Sequence, residues 1–359
     1  MKIRGERDDL ADLFSRANRA VAARSALPVL QGLLCEAAAG NLSVTGTDLE
    51  VTVTTSGPVE VMDEGRAVIP GRILGEAVRK MPPGVVSLTV NGGEVEILGK
   101  GPRFTLRTLT LDDFPNLDTT PVDGVEVDGD ELVNGLNQVV VAASSDSARP
   151  ILTGVLFEPS DDGLRLVTTD SYRLGVRDLP GMGSIGSGLV PARGLRELGR
   201  TIGAEKIRAG MAPREAVFTS ERGSLRLRLI EGSFPKYRTL FSESYPSQVT
   251  MKKESILEAL GRVSLVAEDH IPVRLRIGNG GIEVNVTRQD VGGEVEHLEA
   301  EFVGVDEITI AFNPRYLADG VGAITGENVR IQIIDPLKAT VLDNGQSDGF
   351  VYLLMPVRI

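Results

Sequence analysis

Apolar residues follow two alternating rhythms along this chain. In DDLADLFSRANRAVA they fall at Leu10, Leu13, Phe14, Ala17 and Val21, the spacing of one helix face. Leu132, Leu136, Val139 and Ala143 keep a helical spacing too, as do Ile256, Leu260, Val263 and Ala267. After each helix the rhythm shifts to period two, as in LSVTGTDLEVTV and LRLVTTDSYRLGV, the pattern of strands. Asn91-Gly92-Gly93 and Asn279-Gly280-Gly281 predict hairpin turns of type I′. A second short helix is expected at IPGRILGEAVRKM, VPARGLRELGR and FNPRYLADGVG, with further strands after each.

The order helix, strands, helix, strands thus occurs three times, and landmarks keep register across the copies. LPVLQGLLCE (27–36) is nearly restated by RPILTGVLFE (149–158), so that Pro28 and Pro150, Gly32 and Gly154, and Glu36 and Glu158 each stand 122 positions apart. Asp48 and Asp170 share that spacing, and Pro272 follows Pro150 by the same distance. Arg-x-Leu opens the second helix of each copy, at Arg72/Leu74, Arg193/Leu195 and Arg315/Leu317. A period this long makes each copy a domain and not a solenoid unit. The expected fold class is α+β: three repeated domains of antiparallel sheet with two helices each, at 1–120, 125–245 and 250–359. Polar, proline-bearing linkers near TTPVDGVEVDGDE and SESYPSQVTMKK would separate them.

Charge and chemistry narrow the function. Of 359 residues, 38 are Lys or Arg and 50 are Asp or Glu, a net charge of −12 that opposes nonspecific binding to nucleic acid or an anionic membrane. Aromatics make up 4% and Trp is absent, so a base-stacking platform is not expected. Cys35, the single cysteine, sits in an apolar run and reads as a small buried hydrophobe. No signal peptide or membrane span is evident, so a cytoplasmic protein is expected. His270 and His297 lack a metal-binding pattern, GMGSIGSG lies outside a strand-to-helix turn, and no Walker motif occurs. No enzyme, cofactor, metal or catalytic residue is expected.

Positive charge nonetheless gathers on the helices. The second helices carry Arg72, Arg79 and Lys80 against Glu76, and Arg193, Arg196 and Arg200 against Glu197, the last three arginines on one helical face. On the first helices Arg16 and Arg19 point away from the apolar stripe, and Arg262 takes the place of Arg16 in the third copy. Two readings stand: solvated faces balanced by acids, or a repeated basic face that tracks phosphates.

Several stretches together resemble the bacterial sliding clamp family, the beta subunit of DNA polymerase III. They are LPVL with Arg24 just before it, LTGVLFE, TDSYRL, EGSFPKYR and the terminal MPVRI. The resemblance implies a non-catalytic, three-domain chain that dimerises head to tail into a ring around duplex DNA. Such a ring tethers polymerase for processivity and needs a separate clamp loader. It places Arg24 and Arg149 near DNA beside the helix arginines. It implies a peptide cleft at Leu152, Thr169, Tyr172, Arg173, Leu174, Pro235, Leu240, Leu353, Met355, Pro356, Val357 and Arg358, with arginine at its rim. Partners would be DNA polymerase III alpha, other polymerases and repair proteins, docking by short linear segments. It sets Phe104 and Leu106 against Leu265 at the dimer seam; the pattern also puts Leu265 on the helix face that should meet water. Asp146, Ser147, Thr239 and the Glu268-Asp269-His270 segment depart from the family. They leave room for an auxiliary clamp with altered partner or inhibitor preference, or a clamp-fold scaffold that does not encircle DNA.

Overall fold

The computed structural model describes residues 1–22, 25–118, 120–267, 271–304 and 306–358. Arg24 and the Glu268-Asp269-His270 segment lie outside the described residues. The helices are α1 (Arg7–Ala17), α2 (Gly71–Arg79), α3 (Gly129–Val139), α4 (Ala192–Leu195), α5 (Leu198–Ile202), α6 (Lys253–Val263) and α7 (Pro314–Ala323). The chain forms two compact units, Met1–Val133 with Gly183–Leu229, and Asn134–Met182 with Ile230–Ile359.

In the first unit one sheet runs in the order Glu60–Asp63, Lys2–Glu6, Val85–Asn91, Glu94–Leu98, Arg103–Arg107. A second runs Val125–Asp128, Lys206–Ala212, Glu215–Ser220, Gly223–Arg228, Val51–Pro58, Asn41–Thr47, Gly32–Ala38, Gly65–Pro70. Helices α1 and α2 pack Leu10, Phe14, Leu74 and Val78 into one core with Ile3, Leu88 and Ile97 of the first sheet and Leu33, Leu42 and Ile69 of the second. The apolar stripe read from the sequence is therefore what joins helices to sheets, and burial of such side chains stabilises by about 1.5–3 kcal/mol each. Cys35 is fully buried here, its thiol pushed up to about 12 by desolvation, as a small core hydrophobe would be. In the second unit one sheet contains, in order, Gly154–Ser160, Gly163–Thr169, Arg173–Pro180, Phe350–Leu354, Thr340–Asp343, Asn328–Ile333, Ser247–Lys252 and Ala300–Val303. The other runs Gly292–Leu298, Gly281–Arg288, Val273–Gly278, Ile308–Phe312.

The repeated residues recur because each builds the same local device. Pro28 and Pro150 open short 3-10 turns that feed equivalent strands. Gly32 is required by space, since a Cβ there would lie 2.5 Å from Cγ1 of Val68. The Asp48 carboxylate accepts from the N–H of Glu50 and Val51, and that of Asp170 from Tyr172 and Arg173. Thr47 and Thr169 each donate to a carbonyl four residues on. These bonds hold Leu49 and Ser171 at φ 76° and 84°, so the Thr-Asp pair fixes a strained hairpin turn. The leucine of each Arg-x-Leu, Leu74, Leu195 or Leu317, is buried.

Four expectations need correction. Gly92 and Gly93 both have positive φ, as a type I′ turn demands, but after Asn279 only Gly281 does, at 104°. The second turn therefore carries its unusual residue one position late. The helix expected to hold Arg193, Arg196 and Arg200 on one face is broken between α4 and α5, a segment weakened by Gly194 and Gly199. The two linkers contain strands Val125–Asp128 and Ser247–Lys252. Leu265 lies in the turn just past α6, not on the helix, and is 82% exposed.

The sheets also run across the copies. Gly223–Arg228, the last strand of the second copy, pairs antiparallel with Val51–Pro58 of the first. Phe350–Leu354, the last strand of the third copy, pairs in the same way with Arg173–Pro180 of the second. One strand of each kind is left at a sheet edge: Arg103–Arg107 from the first copy and Gly292–Leu298 from the third.

Candidate docking groove and basic helices

The cleft residues gather within the second unit. Where Arg173–Pro180 meets Phe350–Leu354, Leu174 faces Leu353 and Val176 faces Val351. Leu174, Val176 and Leu353 form one apolar cluster with Val167, Tyr237 and Val341, joined at its margin by Leu156, Phe234 and Phe241. On the chain next to these elements Tyr172, Leu240, Met355 and Val357 are 58%, 48%, 37% and 38% exposed. Large apolar side chains so open to water are what a docking surface presents. Leu240 is carried by the 3-10 turn Tyr237–Leu240, with Pro235 exposed just before it. The chain end is pinned by the N–H of Met355 on the Tyr172 carbonyl (2.9 Å) and of Val357 on that of Ala311 (2.8 Å). Pro356 is half-buried and Arg358 exposed. Leu152 is buried, and Thr169 belongs to the hairpin turn.

Arg173 departs from its expected place at the rim. It is buried, and its guanidinium donates to Asp170 (2.9 Å) and Asp319 (2.5 Å) and lies 4.1 Å from the centre of the Tyr316 ring. Burial opposes its charge, and the Tyr352 hydroxyl with the two carboxylates outweighs that, holding Arg173 above the ordinary arginine range. The Tyr316 ring sits 6.4 Å from that of Tyr172. Arg173 thus supports the exposed tyrosine from below. The sequence did not single out Tyr316, Asp319 or Tyr352; their only signal was the neighbouring Arg315 landmark and the terminal YLLMPVRI.

A second support is Glu158, which accepts from Tyr237 (2.7 Å) and Arg238 (2.7 Å). Burial alone would raise its carboxyl, but these donors hold it below the usual glutamate range. A depressed carboxylate contributes stability that is present above its unfolded value and lost as pH falls through the folded one. Glu158→Gln should therefore flatten part of the acid limb of a thermal-unfolding pH series below about pH 5. An unchanged limb would show that this triad does not brace the turn.

Most of the basic residues are exposed as the pattern implies, but many are paired with acids. Arg72 pairs with Glu76 (3.2 Å), Arg193 with Asp48 (2.6 Å) and Glu50 (3.3 Å), and Arg200 with Glu197 (4.0 Å). Arg262 pairs with Glu296 (2.7 Å), Arg149 with Asp146 (3.0 Å) and Arg19 with Glu197 (2.6 Å). Arg79, Lys80 and Arg196 are exposed. Arg16 is a correction. It is buried, with Nε on Asp12 and Nη1 on the carbonyls of Thr201 (3.3 Å) and Arg222 (2.6 Å), so it fastens α1 to neighbouring segments of the unit. An outward position on α1 is covered here by chain from the second copy.

GMGSIGSG joins strand Arg173–Pro180 to strand Gly188–Pro191, with no helix following, so it is not a dinucleotide turn. No group of His, Cys, Asp and Glu suited to a metal is found among the described residues, and no helix is long and apolar enough to cross a membrane.

Repeated domains of helices and antiparallel sheet, with sheets shared between copies, define a clamp-like class of fold. Comparison with known proteins gives the family. The N-terminal, central and C-terminal domains of the DNA polymerase III beta subunit match residues 1–118, 126–236 and 238–358. A beta sliding clamp of Streptomyces coelicolor is 35% identical over the full length of both chains. One from Micrococcus luteus is 34% identical over 81% of this chain and 96% of its own. A crystal structure of the DNA polymerase sliding clamp from Caulobacter crescentus superposes with TM-score 0.90 at 28% identity, covering all of both chains. The chain belongs to the DNA polymerase III beta subunit family, the bacterial sliding clamps. It is built of three clamp domains and is a non-catalytic sliding clamp of DNA replication.

Proposed function

We propose that two copies of this chain close head to tail into a ring around duplex DNA, and that the groove of Tyr172, Leu174, Leu240, Leu353 and Met355 docks short apolar segments of polymerases and repair proteins. The observation that carries the ring is the strand left over at each end. Two junctions inside the chain pair the last strand of one copy with the third strand after the first helix of the copy before. A second chain can repeat that junction only by laying its Arg103–Arg107 edge on Gly292–Leu298. Charge fits as well, since Arg103 and Arg107 would meet Glu294 and Glu296. Oε2 of Glu294 is buried without a hydrogen-bond partner, and burial with the neighbouring Glu296 raises its carboxyl, against a smaller pull from Arg262. Phe104, Leu106 and Leu265 would be covered at this seam. In that ring the copies near 1–120, 125–245 and 250–359 would turn Arg72, Arg79, Lys80, Arg149, Arg193, Arg196, Arg200 and Arg262 towards DNA, with a clamp loader opening it.

Native mass measurement at micromolar concentration tests the ring: the wild type should be a dimer and Leu265→Asp a monomer. A lone charge at the seam costs several kcal/mol. A monomeric wild type would sink the proposal. Dimerisation should also weaken over the acid range in which the raised carboxyl of Glu294 takes up its proton, because protonation removes its pairing with arginine of the second copy. Sedimentation across that range should show the trend for the wild type and lose much of it for Glu294→Gln.

A further inference from the structure

The first unit contains a groove at its own junction between copies, and the residues there are equivalent to those of the peptide groove. Its cavity is about 500 Å³ and lies over Val51–Pro58 and Gly223–Arg228, beneath the segment Phe114–Asp118. The two junctions share one strand register. Thr52 faces Arg226 and Thr54 faces Ser224, where Leu174 faces Leu353 and Val176 faces Val351. Thr45 stands where Val167 does, at the same offset of 122. Phe114 and Pro115 answer Phe234 and Pro235, and Leu34 answers Leu156. The scaffold is thus kept, while the apolar floor is replaced and Glu50, Thr120 and Arg228 stand where Tyr172, Leu240 and Met355 form the walls.

The replacement is satisfied internally. The hydroxyls of Thr45 and Thr54 bond each other at 3.0 Å, and Thr52 bonds Thr47 at 2.8 Å. Arg226 donates to Glu215 (2.5 Å) and to the carbonyl of Thr120 (2.7 Å). An apolar side chain entering this groove would meet hydroxyls and an ion pair in place of the leucine and valine floor. It would also strip water from Arg226 with nothing to offer in return. Polar groups placed against the wrong ligand are a common source of selectivity.

We propose that Thr45, Thr52, Thr54, Ser224 and Arg226 on the floor, with Glu50, Thr120 and Arg228 at the walls, confine apolar-peptide docking to one groove per chain, the first groove being the same scaffold with its recognition switched off. This inference rests on the reading of the second groove as a peptide site, and the test separates the two. The variant Thr45→Val, Thr52→Leu, Thr54→Val, Ser224→Val, Arg226→Leu installs the floor of the second groove in the first, and Glu50→Tyr, Thr120→Leu and Arg228→Met add the counterparts of its walls Tyr172, Leu240 and Met355. The Thr45 and Thr54 exchanges remove both partners of one hydrogen bond with isosteric groups, a change that is nearly neutral for stability.

The probe is a fluorescein-labelled short peptide bearing leucine and phenylalanine side chains, titrated by calorimetry and anisotropy against the full chain. The wild type should bind one peptide per chain and the variant two. In a background lacking the chain from Met355 onward, the wild-type lining should bind none and the variant one. A wild type that binds none removes the peptide site and this inference with it. A wild type that binds one, beside a folded variant that also binds one, overturns this inference alone. Retained hydrogen-exchange protection of Val51–Pro58 and Gly223–Arg228 reports that the variant's first unit is folded. If it is not, the set without Arg226→Leu keeps the Glu215 ion pair and serves in its place: a weaker second site is expected, and its absence overturns the proposal.

Discussion

Loaded onto a closed circular duplex, the protein should stay bound at salt that removes it from a linear duplex of the same sequence, and should be released when the circle is cut. The expectation follows from charge. With a net charge of −12, the chain has little reason to hold a polyanion by attraction alone. Its helix arginines are largely engaged already, Arg72 by Glu76 and Arg193 by Asp48 and Glu50. A phosphate must share or displace those carboxylates, so each contact is weak and easily exchanged, which suits sliding. Ten full phosphate contacts would give a log–log salt slope of roughly −9. Equilibrium binding to linear duplex should show a shallower slope and a weak affinity. Closure then supplies persistence that affinity does not. Reversing Arg72, Arg79, Arg193 and Arg196 to Glu should abolish loading and processive synthesis while native mass still reports a dimer. Equal retention on circular and linear DNA after loading would leave an ordinary DNA binder, and the ring would be refuted.

The parts of this picture that could be read in the sequence are those set by local physics. The apolar faces of α1, α3 and α6 declared themselves by spacing, and the structure buries Phe14, Leu136 and Leu260 as that spacing requires. The Thr-Asp landmarks, set inside stretches whose period of two reads as strand, instead turn the chain there, because Asp48 and Asp170 bond the backbone two and three residues on. What could not be read is non-local. Nothing in LRLRL or VTVTT says that Gly223–Arg228 will pair with Val51–Pro58, since strand partners are chosen by the folded whole. Arg16 was misplaced for the same reason: helical spacing sends it outward, and only the fold reveals that the carbonyls of Thr201 and Arg222 wait there. Arg173 looks like a surface residue in DSYRL until Asp319, 146 residues later, is brought to 2.5 Å. The members of the groove came from family resemblance, because Leu174 and Leu353 alone are indistinguishable from core.

Removing the chain from Met355 onward should abolish docking of apolar peptides and leave the dimer intact. The two effects separate because the segment lies outside the framework. The strand Phe350–Leu354 is complete before Met355, paired on one side with Arg173–Pro180 and on the other with Thr340–Asp343. Beyond it the chain is held by two backbone hydrogen bonds, to Tyr172 and Ala311, whose loss costs about 1 kcal/mol each. The groove, by contrast, loses Met355 and Val357, two of its four exposed apolar walls. Methionine there can adapt its unbranched chain to differently shaped side chains, which suits a site that serves several partners. Short peptides in such a groove should bind with Kd of order micromolar, about −8 kcal/mol. Loss of two central contacts at about 2 kcal/mol each lowers affinity roughly a thousandfold, past detection in an anisotropy titration. The single substitution Arg173→Met should give a milder version of the same loss. It takes away the cation beneath Tyr316 and leaves Asp170 and Asp319 facing each other, so Tyr172 loses its support while the apolar floor remains. Peptide affinity that survives the truncation unchanged would place docking elsewhere on the chain and refute the groove.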